Sequence, residues 1–177
     1  MAIREILIWP DARLLEKSEP VEVIDDEIRE LVSDMLETMY DADGVGLAAP
    51  QVGVLKQVVV VDIHAGGDDR PSGEEPIVLI NPKFDNQEGE LEWEEGCLSV
   101  PGEVGMVTRS AKVRCTYLDL DGNEQTIEAE GLKSVALQHE CDHLNGKLFV
   151  DYLGRVKRNL IKRKMMKLIS QRDAARA

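Results

Sequence analysis

The sequence predicts an α+β fold, mostly antiparallel sheet around a central helix that carries an HExxH pattern, closed by a basic C-terminal helix. Three observations predict it. Apolar residues recur at helical spacing in well-separated segments, and short β-branched runs lie before and between them. Strands and helices do not alternate one by one, which argues against a parallel βαβ sheet. Residues 121–122, Asp-Gly, sit between two strand-like runs and signal an antiparallel hairpin.

Residues 25–41 read as an amphipathic helix, with Ile28, Leu31, Val32, Met35, Leu36 and Met39 at helical spacing. Asp25 or Asp26 can cap its start, and Gly44 follows its end. Residues 44–51, GVGLAAPQ, are small and glycine-rich, better suited to close backbone approach than to a helix. Residues 58–63 form a β-branched run and predict a buried strand, and 77–80 predict another. Between them, His64 to Glu75 is full of Gly, Asp and Pro and reads as an exposed loop. Strands over 112–120 and 125–130 flank the Asp-Gly turn. A helix is expected over 132–145, stopped by Gly146. A last helix is expected over 153–171, with Leu160, Ile161, Met165, Leu168 and Ile169 as its apolar seam.

Composition fits one soluble domain spanning residues 1–177, with 153–177 as the basic helix. The 177 residues can bury a sizeable core, and 43% hydrophobic with 31% charged residues is ordinary for a globular chain. No apolar run approaches the roughly 18 residues of a membrane span, and no signal-like N-terminus is visible, so the expectation is a cytoplasmic protein. Three cysteines without a secretory signal do not suggest a disulfide framework. The net charge of −13 is uneven: nine of the 21 Lys/Arg but one of the 34 acids lie from Arg155 onward. An acidic body disfavours sequence-specific nucleic-acid binding, while the basic tail can still attract polyanions.

His139-Glu140-Cys141-Asp142-His143 is the HExxH pattern. Residues i and i+4 differ by about 40° around a helix, so both imidazoles project from one face and can grip one ion. Glu140 lies about 100° away, within reach of a water on that ion. Both histidines share their face with Leu132, Val135 and Ala136, so they point inward. A catalytic site of this kind needs a third protein ligand. The longer HExxHxxGxxH pattern holds as far as Gly146 and then fails, because Phe149 occupies the third histidine's place. His64 reads as a strand-end residue, Cys115 as core, and Cys141 as facing away from His139. Carboxylates or Cys97 remain, and Cys97 is favoured: Gly96 lets the backbone approach, and a thiolate suits a borderline metal. Glu95 is expected to pair with Arg109 and brace the Cys97 loop, a modest effect for a surface pair.

Three segments together resemble the peptide deformylase family: GVGLAAPQ at 44–51, EGCLS at 95–99 and QHECDH at 138–143. Pro10-Asp11, Arg13-Leu14, Glu37 to Tyr40 and the stretch from Leu144 to Phe149 also look like that family, so the resemblance covers most of the chain. It implies Cys97, His139 and His143 as ligands of one divalent ion, iron(II) in the cell, with zinc, nickel or cobalt as alternatives. It implies Glu140 as acid and base, with the Gln51 amide and the Leu98 backbone N–H polarising the formyl oxygen. The implied reaction removes the formyl group from N-formyl-methionyl nascent peptides, with formate as product. Gly44, Val45 and Gly46 would form a close wall at the formyl carbon. Val45, Leu132, Val135 and Ala136 would line a pocket for methionine, or equally be plain core. One departure stands at the cleft rim, where many bacterial members carry an arginine or bulky residue. Here Gly102-Glu103-Val104-Gly105 is small and acidic. The resemblance further implies ribosome contact through the basic helix, against the alternative of a merely solvated face. Two other functions fit the HExxH pattern: a zinc metallopeptidase, and a non-catalytic protein with a structural metal.

Overall fold

The computed structural model describes residues 2–64 and 75–176, so the loop expected between His64 and Glu75 lies outside the described residues. The architecture is α+β, and every strand pair is antiparallel. Helix α1 spans Asp26–Asp41 and strand β1 Gly46–Ala48. Strands β2 Val58–Val61, β3 Ile77–Glu88, β4 Leu91–Cys97, β5 Val100–Arg109, β6 Lys112–Leu118 and β7 Glu124–Glu130 follow. Helix α2 spans Leu132–His143 and α3 Arg155–Arg176. A five-stranded sheet runs β1-β2-β3-β6-β7, and β4 with β5 forms a separate two-stranded sheet.

Four consecutive valines make β2, and all four are buried because the sheet is covered on both faces. Val58 and Val60 meet the apolar stripe of α1, namely Ile28, Leu31, Val32, Met35 and Met39. Val59 and Val61 face the other way, toward Ala136 and Leu137 of α2. At about 1.5–3 kcal/mol for each fully buried apolar side chain, the α1 stripe alone contributes on the order of 10 kcal/mol of gross stabilisation. The Asp25 side chain accepts from the Ile28 N–H and caps α1. A third cluster joins Leu7, Ile8 and Trp9 to Val100 and Val107 of β5 and to Ile161 and Met165 of α3.

Several expectations shift in detail. The strand expected over 58–63 ends at Val61. The one expected over 77–80 continues to Glu88, bulging on both sides of Lys83-Phe84, with Asn81 at φ +52°. Helix α2 ends at His143 rather than 145. Gly146 then takes φ +74°, and a Cβ there would strike the Leu15 carbonyl, so only glycine turns the chain at that point. Helix α3 starts and ends later than 153–171, and Leu160 lies off its seam, 52% exposed beside Val156. The largest addition is the β4–β5 hairpin, whose tip is Leu98-Ser99. Among the described residues no helix is long and apolar enough to cross a membrane.

Candidate active site

Cys97 is the last residue of β4, beside an irregularity in register between Gly96 and Cys97 that re-aims the strand end. Helix α2 packs on β1, β2, β5 and β7, and its inward face carries His139, Glu140 and His143, all buried. Hairpin tip and helix therefore meet. Cys97 Sγ lies 3.4 Å from His143 Nε2. One ligand atom each from Cys97, His139 and His143 falls within 4.8 Å of the others, a group that could hold a metal ion. In a tetrahedral site with metal–nitrogen and metal–sulfur bonds of about 2.1 and 2.3 Å, neighbouring donors stand about 3.5 Å apart, so the donor set fits such an ion.

Each imidazole is oriented. His139 Nδ1 faces Glu95 Oε1 at 2.8 Å, which leaves Nε2 for a ligand. Glu95 is itself gripped by Arg109, whose Nε and Nη2 donate to it at 2.7 and 2.8 Å. Burial opposes ionisation of Glu95, but Arg109 and His139 hold its carboxyl below the usual range. Burial alone would lower the His139 imidazolium, yet the Cys97 and Glu95 side chains raise it well above the ordinary value. Burial takes His143 well below it. The Glu95–Arg109 pair thus differs from the surface brace expected. Its side chains are 3% and 4% exposed, and it belongs to the site because it fixes a ring.

Glu140 sits beside this group, its Oε1 3.8 Å from His139 Nε2. Burial pushes its carboxyl up to about 7. Its Oε2 is buried with no hydrogen-bond partner among the described residues, as is His143 Nδ1. Gly46 explains how a carboxylate fits here. A Cβ on Gly46 would lie 2.8 Å from Glu140 Cγ and Oε1, so any side chain would displace the acid.

Gln51 lies in a short 3-10 turn, Ala49–Val52, directly after β1. Its Oε1 accepts from the Ala48 N–H at 2.9 Å, which forces Nε2 to the opposite side. There Nε2 donates to Ser99 Oγ at 3.1 Å and lies 3.5 Å from Cys97 Sγ. Leu98 occupies the hairpin tip and packs on Gly44, where a Cβ would meet Leu98 Cδ1 at 2.7 Å.

A cleft of about 600 Å³ opens onto Cys97, His139 and Glu140, and Gly44, Val45, Gly46, Leu98, Val135 and Ala136 contribute to its wall. Val135 and Ala136 are also nearly buried, so they serve core and cleft together. At the rim, Glu103 pairs with Lys164 of α3 at 3.1 Å. The residues singled out from the sequence therefore gather in one place. His64 lies elsewhere, beside Glu75, and Cys115 and Cys141 are buried away from the ligand group. Phe149 has no exposure and stacks at 6.4 Å on the His139 ring, filling core where the longer zinc pattern would put a ligand. Ser99, inside the quoted EGCLS motif, meets the Gln51 amide, a contact that its residue type alone does not reveal.

A family description of polypeptide deformylases matches residues 3–159. A peptide deformylase of Stutzerimonas stutzeri is 54% identical over 172 residues, covering 97% of this chain and 99% of its own length. One of Alkalilimnicola ehrlichii is 52% identical over 171 residues, covering 97% and 93%. A crystal structure of a Legionella pneumophila peptide deformylase superimposes with TM-score 0.88 at 49% identity, covering 99% of each chain. The Ehrlichia chaffeensis enzyme, solved in complex with actinonin, superimposes with TM-score 0.87 at 42% identity, covering 94% of this chain and 98% of its own. The match thus extends over fold, length and sequence alike, and the chain belongs to the polypeptide deformylase family.

Proposed function

We propose that the protein hydrolyses the N-formyl group of N-terminal formyl-methionine on nascent polypeptides and releases formate. The observation that carries this is the buried Glu140 carboxylate, its Oε2 without a hydrogen-bond partner among the described residues, beside the Cys97, His139 and His143 ligand group in a member of this family. Thiolate with two imidazoles suits iron(II), zinc, nickel or cobalt, and iron(II) is proposed for the cell on the family resemblance. A divalent ion held by Cys97, His139 and His143 would supply Lewis acidity and make water a stronger nucleophile near neutral pH. Glu140 takes a proton from water as that water's oxygen bonds to the formyl carbon, and gives it to the amine nitrogen as the carbon–nitrogen bond breaks to leave formate. Gln51 Nε2 and the Leu98 N–H donate to the formyl oxygen as negative charge develops there. Gly44 and Gly46 keep the wall close, which admits a carbon bearing only hydrogen, while Val45, Leu132, Val135 and Ala136 receive the methionine side chain.

The test is formate release from a formyl-Met peptide, compared with cleavage of a blocked internal peptide. Formate from the first and no cleavage of the second is expected. Cleavage of internal peptides would favour the metallopeptidase, and a metal-loaded protein inert toward formylated peptides would favour a structural metal. Residues 1–177 are proposed to work as one unit in the cytoplasm.

Ribosome contact through α3 is proposed as well. Lys157, Arg163 and Lys167 are exposed, and clustered cations neutralise phosphates. Truncating α3 would strip Ile161 and Met165 from the core, so reversing charge is the cleaner experiment. Changing Lys157, Arg163 and Lys167 together to Glu should weaken ribosome binding at low salt and spare turnover of small peptides. Unchanged affinity would refute the contact.

A further inference from the structure

Behind His139 the hydrogen bonds continue beyond Glu95 and Arg109. Arg109 Nη1 donates to Asp142 Oδ2 at 2.5 Å, and the Tyr152 hydroxyl donates to the same oxygen at 2.8 Å. The Arg109 guanidinium also lies over the Tyr152 ring, 4.8 Å from its centroid. Burial and the bond to Asp142 push the Tyr152 hydroxyl up to about 12, so it stays a donor. Tyr152 comes from the short 3-10 turn Phe149–Tyr152, and it is absent from the cleft that opens onto Glu140. Instead, with Arg109, Asp142 and Gln138, it lines a different polar cavity of about 660 Å³. Arg109 is thus held at three points, by Glu95, by Asp142 and by an aromatic face, beside a space into which its guanidinium could otherwise swing.

We propose that Tyr152 is a positioning residue for the metal centre: it clamps Asp142 and roofs Arg109, which fixes Glu95 and, through Glu95, the ring of His139. The order of contacts is Tyr152 to Asp142, Asp142 to Arg109, Arg109 to Glu95, Glu95 to His139 Nδ1. The hydroxyl and the ring do separable work. The hydroxyl holds one carboxylate oxygen in place, and the ring keeps water off the guanidinium. Partners one contact out from a ligand typically control metal affinity by about 10–100-fold, and a residue three contacts further along the chain should act more weakly.

This rests on Cys97, His139 and His143 being the ligands, and the experiment separates the two ideas. Cobalt(II) is loaded into the parent protein, Tyr152→Phe and Tyr152→Leu. The thiolate-to-cobalt absorption band, the rate of metal release to a chelator, and kcat and KM for a formyl-Met peptide are then measured. Tyr152→Phe should release metal roughly 3-fold faster, and Tyr152→Leu roughly 10-fold faster with a shifted band. In both, kcat should fall while KM stays within about twofold, because the residue is remote from the cleft. Melting of the metal-free proteins separates positioning from general support. If Tyr152→Phe, which preserves ring packing, matches the parent in band, release rate and kcat, the hydroxyl clamp is wrong. If Tyr152→Leu shows only a lower melting temperature with the band and release rate of the parent, the positioning role is overturned entirely. A parent protein that takes up no cobalt would instead overturn the ligand assignment.

Discussion

Replacing Glu140 by Gln is expected to abolish deformylation, by about 10²–10⁴-fold in kcat, in a protein that keeps its full complement of metal. The residue is 5% exposed, its Oε2 has no hydrogen-bond partner among the described residues, and its Oε1 stands 3.8 Å from His139 Nε2, so no hydrogen bond holds the charge in place. Gln has nearly the same shape and fits against Gly46 as the acid does, but it cannot accept the proton. The stability effect has the opposite sense. Burial raises the Glu140 pKa from its ordinary value of 4.5 to about 7. A carboxyl raised in the folded state favours folding while protonated, and its ionisation subtracts from stability as pH rises between the unfolded and folded values. Above about pH 7 the neutral amide should therefore melt no lower than the parent when both are metal-free. Formate assays with metal analysis check the first part, and thermal melts the second. Turnover within tenfold of the parent would remove Glu140 from the chemistry.

Cys97→Ala should lose the metal itself, since it deletes one of three donors. The loss in affinity should exceed the roughly 10–100-fold that an outer-shell change produces. Cys97 Sγ touches both His143 Nε2 and the Gln51 amide, so its removal also frees Gln51 Nε2 from one side. The Cα path of the hairpin depends instead on the β4–β5 ladder and on Val100 and Val107 in the core, which the substitution leaves intact. The variant should therefore fold and show little bound metal after dialysis against trace chelator. Full occupancy would sink the assignment of this ligand.

Where local chemistry and packing agree, the chain is legible. Helix α1 combines a capped start with a clean apolar stripe, β2 is a run of valines, and the Asp-Gly turn joins β6 to β7. Helix α2 had to place His139 and His143 on one face because of its period alone. The β4–β5 hairpin was hidden for physical reasons. Its first strand alternates only over Leu91 to Glu94 before Glu95-Gly96 breaks the pattern, and its Leu98-Ser99 tip lacks the Asn-Gly, Asp-Gly or Gly-X pair that marks a tight hairpin. Strand β3 was cut short because Pro82 ordinarily demotes a strand, and here bulges absorb it. Glu95 and Arg109 looked like surface charges because sequence spacing cannot show that the hairpin is pressed against α2. Leu160 looked like seam because a long helix with many apolar positions offers two candidate stripes, and packing on Leu7 and Trp9 selects the one through Ile161 and Met165.

The separation of the two sheets has a mechanical consequence. Among the described residues no backbone ladder joins β4 and β5 to the five-stranded sheet, so apart from the Trp9 N–H bond to the Ser99 carbonyl the hairpin tip is held by side chains and, when present, by an ion. An ion spanning Cys97 and the two histidines would act as a reversible cross-link between the hairpin and α2. Because it binds only the assembled arrangement, its free concentration sets how firmly they are tied, by RT ln(1 + [M]/Kd), about 2.7 kcal/mol at a hundredfold excess over Kd. Any oxidation of the thiolate would then slacken the scaffold as well as silence the chemistry.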